Sequence, residues 1–186
     1  SEAEQARKED FDPPECFRVD LAGAVLNLAA WGVTVPENFR WLDVPAPLVM
    51  QRAVNLLAAL GATEEDGSLT DTGKRMTAFP LPPRLARLMV AGQDEQCAVE
   101  LAAVAALMQG EGVAVKGGLN DHLRDSADYT DFQAEWRAVE KAVDAGFGAA
   151  ACTRWGISSR GAREAWMAYR QLLSVGSRGK ARGTPG

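Results

Sequence analysis

Residues 56–89 read LLAALGATEEDGSLTDTGKRMTAFPLPPRLARLM, and this stretch decides the fold that the sequence predicts. Its alanine- and leucine-rich start is typical of the end of a helix. Gly61 is a suitable C-terminal cap for that helix because glycine tolerates a positive φ. The Asp66-Gly67 pair then predicts a two-residue hairpin between short extended arms. The stretch therefore begins with a helix and continues into a small wing of β structure.

A short helix and a sharp corner follow the hairpin. Thr70 or Asp71 is placed to cap a helix that runs to residue 79. The run PLPP at 80–83 then forces a corner, because three of its four residues are prolines with a fixed φ. Pro83 is tolerated in the first turn of the next helix, which the pattern predicts over 84–91.

Two helices precede this stretch. The first is centred on 20–31, has capping signals that begin at Asp12, and is stopped by Gly32. The second starts at Pro45 and Pro47. Spacings of three and four residues predict the buried face of each helix. The first face consists of Leu21, Val25, Leu28 and Trp31, and the second of Val49, Ala53, Leu56, Leu57 and Leu60.

Three further helices are predicted downstream. Residues 93–109 are apolar nearly all round, which is typical of a helix buried on most sides. An amphipathic helix covers 129–145, and Ser158 or Ser159 caps a last helix that runs to residue 175. The inward face of the amphipathic helix is predicted to be Phe132, Trp136, Val139 and Val143. That of the last helix is predicted to be Ala162, Ala165, Trp166, Tyr169, Leu172 and Leu173.

These elements predict a mainly α chain: a winged helix, made of three helices and a small β-hairpin, followed by a helical bundle. Residues 1–12 are expected to form a flexible lead-in and 13–79 the winged-helix domain. The bundle is predicted over 80–175, and a basic, glycine-rich disordered tail over 176–186.

Composition excludes several classes of protein. The chain has 186 residues, enough to bury a core without disulfides or a metal. Its three cysteines, at 16, 97 and 152, are far apart and odd in number, which fits a reducing, cytoplasmic compartment. No apolar run reaches the roughly 20 residues that a membrane span needs.

The net charge differs in sign between successive segments of the chain. Residues 1–69 carry a net charge of −7 and 93–151 also −7, whereas 70–92 carry +3 and 152–186 carry +6. Two basic patches on an acidic body suit a guided path for a phosphate backbone. The alternative is that the charge blocks are ordinary solvated faces.

The sequence has no recognisable catalytic motif. It lacks a phosphate loop of the G-x-x-x-x-G-K-[ST] type. Its only histidine, His122, gives Ser158 and Ser159 no motif-supported base. Four acids, Asp121, Asp125, Asp128 and Asp131, do not follow the calcium-loop pattern and are expected to face solvent. We therefore predict neither catalysis nor a metal site in this chain.

The motifs resemble those of a known family. The segments VDLAGAVLNLAAWGV, FRWLDVPAP and LLAALGATEEDGSLTDTGKRMTAFPLPPRLARLMVAG resemble the region that follows the second motor domain in DEAH/RHA-type superfamily-2 helicases. Trp41-Leu42-Asp43-Val44-Pro45 stands where the family has F-L-D-x-P, with Trp for Phe. The first-helix AAWG and the later GGLNDHLRD and FQAEW resemble the bacterial HrpB branch. The specific part of the resemblance covers residues 18–110.

The resemblance implies a non-catalytic accessory region: a winged helix and a helicase-associated, ratchet-like bundle. The region would pack on the RecA-like motor domains of the same polypeptide and help to grip single-stranded RNA or DNA. ATP and Mg would be bound by those motor domains, and no cofactor by this chain. Candidate nucleic-acid-binding residues are Arg84, Arg87, Lys74, Arg75, Arg154, Arg160 and Arg163. Candidate structural residues are Gly61, Gly67, Gly73, Pro80 and Pro83.

The alternative is a stand-alone winged-helix DNA-binding or protein-interaction module. In that case the helix from Pro45 to residue 60 would read DNA. Its polar positions are Gln51, Arg52 and Asn55, which give little capacity for base edges or phosphates.

Overall fold

A computed structural model of the protein describes residues 20–110, 112–114 and 131–180. For residues 131 and 177–180 it describes the backbone alone. The chain is mainly helical and has the predicted fold class, a winged helix followed by a helical bundle. It divides into two compact units, Ser1–Thr77 and Ala78–Gly186. The division lies two residues before the predicted boundary, and each unit is described by itself.

Within its described residues, 20–77, the first unit contains three α-helices and one turn of 3₁₀-helix. The helices are α1 (Ala22–Ala30), α2 (Pro47–Ala59) and α3 (Asp71–Met76), with the 3₁₀ turn at Pro36–Asn38. The Asp20 carboxylate accepts a hydrogen bond from the backbone N–H of Ala22, 3.0 Å away, at the start of α1. The predicted cap at Asp12 lies outside the described residues. The core of this unit is built from Leu21, Ala22, Val25, Leu26, Leu28, Met50, Ala53, Leu57, Ala62 and Met76.

The prediction that Trp31 is buried with the rest of its helix face is wrong. Trp31 is 77% exposed, whereas Leu21, Val25 and Leu28 are buried. Trp31 is the C-cap of α1, where the chain leaves the helix, so helical spacing no longer decides which way its side chain points. On α2 the buried residues are Met50, Ala53 and Leu57.

Glycines end both helices as predicted. Gly61 follows α2 with a φ of +67°, and the N–H of Ala62 donates to the carbonyl of Leu57 at 2.9 Å. Gly32 follows α1 with a φ of +89°, in the same arrangement. Both ends are Schellman motifs, which satisfy helix carbonyls that would otherwise lack a partner.

The hairpin differs in its turn from the two-residue prediction. The N–H of Gly67 donates to the carbonyl of Glu64 at 3.0 Å, and among these turn residues only Gly67 has a positive φ, +80°. This is a type I turn followed by a left-handed glycine, because a two-residue I′ turn would require a positive φ at Asp66 as well. Beyond the turn, Thr63 and Leu69 form an antiparallel bridge.

Two glycines allow backbones to meet at the hairpin. A Cβ on Gly67 would overlap the carbonyl oxygen of Thr34, which follows α1. A Cβ on Gly73, in α3, would overlap the carbonyl oxygen of Ala62 and lie 3.0 Å from Cδ2 of Leu69. The hairpin is therefore packed against both its neighbouring segments through positions that accept only glycine.

The hydroxyl of Thr70 links the hairpin to α3. It accepts a hydrogen bond from the N–H of Gly73 at 2.9 Å, and it donates to the carbonyl of Gly61 at 2.6 Å. Of the two predicted caps, Thr70 is the one that the structure uses. The helix that it starts ends at Met76, three residues earlier than predicted.

We expect Thr70→Ala to lower the free energy of unfolding by about 1–2 kcal/mol, because one substitution removes a helix cap and a second hydrogen bond. Thr70→Ser keeps the hydroxyl and is expected to be nearly neutral. Urea unfolding of the whole chain, with hydrogen exchange read in peptides from 47–77, measures both. Equal stability of the two variants would contradict the role given to the hydroxyl.

The second unit is a bundle of five described helices. These are α4 (Pro83–Asp94), α5 (Ala98–Gln109), α6 (Asp131–Asp144), α7 (Ala149–Arg154) and α8 (Ser159–Lys180). Helix α5 packs against α4 and α8, and α6 packs against α8. The core cluster is formed by Leu107, Val113, Ala134, Ala138, Val139, Ala142, Cys152, Ile157, Ala162 and Ala165.

Several predictions for this unit need correction. The single helix predicted over 93–109 is two helices, because the backbone turns at Gln96, which has a φ of 59°. Phe132 is 44% exposed, whereas the predicted Val139 is buried, together with three small residues that were not predicted, Ala134, Ala138 and Ala142. Closely packed helices leave room for alanine at the contact and push larger rings to its edge.

The last helix is longer than predicted. It continues to Lys180, so residues 176–180 are helical rather than part of a disordered tail. The short helix α7 was not predicted. The predictions for Cys16, His122, Asp121, Asp125 and Asp128, and for residues 1–12 and 181–186, lie outside the described residues.

Candidate nucleic-acid interface

The end of α6, the short α7 and the start of α8 meet in one corner of the second unit. Gly146 and Gly156, with φ of +60° and +72°, end α6 and α7. The N–H of Ile157 donates to the carbonyl of Cys152 at 3.1 Å and thereby closes the end of α7. Ile157 itself is buried in the core cluster. These tight turns bring together the end of α6, the end of α7 and the start of α8, and Ile157 fixes their connection in the core.

Two serines fix the start of α8. The Ser158 hydroxyl accepts a hydrogen bond from the N–H of Gly161 at 2.8 Å, so Ser158, rather than Ser159, is the cap of this helix. The Ser159 hydroxyl donates to the carbonyl of Phe147 at 2.7 Å and ties α8 to the turn between α6 and α7. The backbone of the corner is therefore held on both sides.

Three cations lie over aromatic rings in this corner. Lys141 Nζ is 4.5 Å from the centroid of the Trp155 ring, and the Arg154 guanidinium carbon is 5.4 Å from it. The guanidinium carbon of Arg163 is 5.5 Å from the centroid of Phe147. Both rings are half-buried and pack against the core cluster. We call these five residues the basic corner.

Arg160 was predicted together with Arg154 and Arg163 but is engaged differently. Its Nε donates to Oε1 of Glu164 at 2.7 Å, one turn further along α8. This hydrogen bond, and then the charge of Glu164, raise the pKa of Arg160 above its ordinary value. The local charge of Arg160 is offset by its partner, so it is the weakest of the three as a phosphate contact.

The two predicted residues on α4, Arg84 and Arg87, differ in their exposure and in their interactions. Arg84 is exposed, and it makes no hydrogen bond, ion pair or ring contact with any residue in the described ranges. Arg87 is half-buried and interacts within the chain. Arg84 is therefore the more available of the two for a phosphate or a protein partner.

On α3, both predicted cations are exposed and have partners. Lys74 Nζ lies 3.0 Å from Oδ1 of Asp71, and Arg75 also interacts within the chain. An exposed pair of this kind contributes little to stability and exchanges readily with solvent or ligand.

The candidate structural residues lie at junctions. Gly61, Gly67 and Gly73 are at the base, the tip and the contact side of the hairpin, as described above. Pro83 is buried at the first position of α4, and Pro80 is exposed in the turn before it. In that turn the N–H of Leu81 donates to the carbonyl of Phe79 at 2.8 Å.

A second aromatic cluster lies between α6 and α8. Trp136 contacts Trp166 and Tyr169, with ring centroids 6.0 Å and 4.6 Å apart. Burial, and then the charges of Glu140 and Glu100, raise the pKa of Tyr169 above its ordinary value. Carboxylates near these rings repel phosphates, so this cluster is unsuited to a nucleic-acid backbone.

The structure groups the candidates in ways that the sequence did not show. Arg154 and Arg163 share a corner with Lys141 and Phe147, neither of which was predicted. Lys141 lies in the segment 93–151, whose net charge is −7, so the net charge of that segment does not reveal this basic residue. Its position thirteen residues before Arg154 gave no periodic signal, because a turn and a further helix separate them.

Other kinds of site are not formed by the described residues. No three His, Cys, Asp or Glu side chains in those ranges come together as a metal site. Likewise, no described helix is long and apolar enough to cross a membrane.

One comparison with known proteins bears on these observations. A family model of the helicase associated domain (HA2), winged-helix, matches residues 53–81. The matched segment contains part of α2, the hairpin, α3 and the first two residues of the proline corner. HA2 is a non-catalytic accessory domain of helicases. The match therefore links this chain to DEAH/RHA-type helicases through an accessory domain.

Proposed function

We propose that this chain is the accessory region of an ATP-dependent DEAH/RHA-type helicase of the HrpB branch. It packs on the RecA-like motor domains of the same polypeptide and helps to grip and ratchet single-stranded nucleic acid in the cytoplasm. ATP and Mg are bound by those motor domains, and this chain contributes no catalytic group. The observation that carries the proposal is the match of residues 53–81 to the helicase-associated winged helix.

Exposed apolar side chains in the first unit support packing on another domain. Six of the ten large hydrophobic residues exposed in the described ranges fall between residues 31 and 48. Leu42 is 98% exposed and Trp31 77%. A concentration of this kind is typical of a protein–protein contact. The six are Trp31, Val35, Phe39, Leu42, Val44 and Leu48, which we call the apolar face.

Trp41 supports the segment that carries this face. Its Nε1 donates to the carbonyl of Pro36 at 2.9 Å, and its ring meets that of Phe39 edge to face, with centroids 5.2 Å apart. The loop is thus held in shape before any partner binds, which lowers the entropic cost of association.

The stand-alone DNA-binding alternative finds less support. On α2, the amide of Gln51 donates to Oδ1 of Asn55 at 2.8 Å, so the two polar groups that would read bases satisfy each other. Arg52 is then the one basic side chain on that helix. A recognition helix normally presents several free donors and acceptors to the groove.

Reconstitution tests the proposal. The 186-residue chain is added to the separately prepared motor domains of its parent polypeptide, and ATP hydrolysis is measured with and without single-stranded RNA or DNA. We expect the chain to raise the nucleic-acid-stimulated rate several-fold. Absence of stimulation at every salt concentration, or tight sequence-specific binding of duplex DNA by the chain alone, would refute the proposal.

We expect Leu42→Ser to weaken association with the motor domains by about tenfold or more, because burying a leucine contributes roughly 1.5–3 kcal/mol. The side chain is exposed in the free chain, so stability is expected to be unchanged. The measurement is the chain concentration that gives half-maximal stimulation. Met167→Ser, at an exposed position of the second unit, is the control. Equal behaviour of the two variants would exclude the apolar face as the contact.

A further inference from the structure

The basic corner combines three cations that come from three different segments of the second unit. Lys141 lies in the last turn of α6, Arg154 at the end of α7 and Arg163 in α8. Each is exposed, and each lies over an aromatic ring that packs on the core cluster. Folding alone brings them together, since 22 residues separate the first from the last.

Two of these cations have no ion-pair partner among the residues that the structure describes. Within the described residues, Lys141 and Arg163 make no ion pair, and their ring contacts are the interactions that hold them. A ring face attracts a cation through its quadrupole and leaves the N–H groups on the opposite side open. Such a cation can accept a phosphate without first breaking a salt bridge.

The rings also restrain long, flexible side chains. Immobilising a lysine or arginine costs up to about 1.5–2 kcal/mol in rotamer entropy. A cation held over a ring has already lost part of this freedom, so less is lost when a ligand binds. The hydrogen bond from Ser159 to Phe147, and the buried anchor Ile157, keep the two platforms in place.

We propose that the basic corner is a binding site for the backbone phosphates of a single-stranded nucleic acid, with Lys141, Arg154 and Arg163 as the phosphate contacts. Phe147 and Trp155 act as positioning residues that hold the cations. That the ligand is single-stranded nucleic acid rests on the function proposed above. Cations that alternate with half-exposed rings are typical of sites for unpaired strands, whose bases are accessible.

Fluorescence anisotropy of a labelled single strand of about 16 nucleotides tests the site, with the 186-residue chain and without motor domains. The test variant is Lys141→Gln, Arg154→Gln, Arg163→Gln. We expect at least tenfold weaker binding. Because the variant no longer neutralises three phosphates, the slope of log affinity against log salt should change from about −2 to near zero.

A control variant removes the same number of charges elsewhere. Arg40→Gln, Arg52→Gln, Arg170→Gln changes three exposed arginines that make no hydrogen bond, ion pair or ring contact with other described residues. It is expected to bind the strand within about twofold of the wild type and to keep the salt slope. Trp155→Leu, which preserves apolar packing, should weaken binding several-fold by releasing its cations. Thermal unfolding of every variant is measured alongside.

The outcomes separate this inference from the proposed function. Equal affinity of the test and control variants, or no binding by the wild type at the lowest salt, overturns the site while leaving stimulation of the motor domains unaffected. Binding of duplex as tight as that of the single strand also overturns it. A selective loss in the test variant supports the site even if the motor domains are not stimulated.

Discussion

Replacing Gly73 with alanine is expected to destabilise the first unit by about 3 kcal/mol, although alanine favours a helix by about 1 kcal/mol over glycine. The added Cβ would overlap the carbonyl oxygen of Ala62. That oxygen cannot move freely, because it accepts a hydrogen bond from Thr70 at 3.1 Å while the N–H of Ala62 is bonded to Leu57 at 2.9 Å. The clash must therefore be relieved by moving the hairpin away from α3.

Gly61→Ala is the matched control for this prediction. Gly61 has a positive φ, but nothing lies within 4 Å of the Cβ that alanine would add. Its expected cost is therefore only the left-handed backbone strain, about 1–2 kcal/mol. Urea unfolding with hydrogen exchange in peptides from 47–77 compares the two. A Gly73→Ala chain as stable as the wild type would show that the hairpin does not press on α3.

We expect the hairpin to matter for the proposed function, because it lies within the segment that matches the helicase-associated winged helix. If the contact between hairpin and α3 transmits movement of the motor domains, Gly73→Ala should also reduce stimulation of ATP hydrolysis at temperatures where the chain stays folded. Gly61→Ala should reduce it much less. The comparison tests a mechanical role separately from stability.

Ile157→Ala is expected to destabilise the second unit by about 3 kcal/mol, within the range measured for large-to-small changes in protein cores. Ile157 is 2% exposed, and it pairs with Ala114 in an antiparallel bridge. Its side chain is part of the core cluster against which Phe147 and Trp155 pack. Loss of its methyl groups therefore leaves a cavity in the cluster that supports both rings of the basic corner.

Thermal unfolding measures this effect, and Met167→Ala is the control. Met167 is on α8 but is 67% exposed, so its truncation is expected to change stability by less than about 0.5 kcal/mol. Below the melting transition, Ile157→Ala should weaken single-strand binding more than Met167→Ala does, because the platforms lose their support. Identical stability of the two variants would contradict the burial assigned to Ile157.

Local chemistry explains why the sequence predicts the first unit well. Gly32 and Gly61 end helices, and Thr70 starts one, through hydrogen bonds between residues close together in the chain. Such signals depend on φ preferences and short side chains, so they can be read without knowledge of the fold. The turn type at Gly67 was missed because an Asp-Gly pair is compatible with more than one hairpin geometry.

The candidate site was only partly predictable. Lys74, Arg75, Arg84 and Arg87 were identified from a local excess of positive charge, and Arg154 and Arg163 from the basic C-terminal block. The pair of Arg160 and Glu164 has the i,i+4 spacing of one helix face, which the sequence contains. The sequence could not show that Lys141 joins Arg154 at the Trp155 ring, because these side chains come from different helices and charge counts along the chain do not contain their approach through space.

By itself the sequence determined the fold class, the glycine ends of α1 and α2, and the motif that links this chain to helicase-associated domains. The tertiary structure decided which large residues face outward, as at Trp31 and Phe132, and which cations lie over aromatic rings, as at Lys141 and Arg163. The physical reason is range. Caps, turns and ion pairs within one helix are fixed by neighbours within about five residues, whereas burial and contacts between cations and rings of different helices depend on segments that only the folded chain brings together.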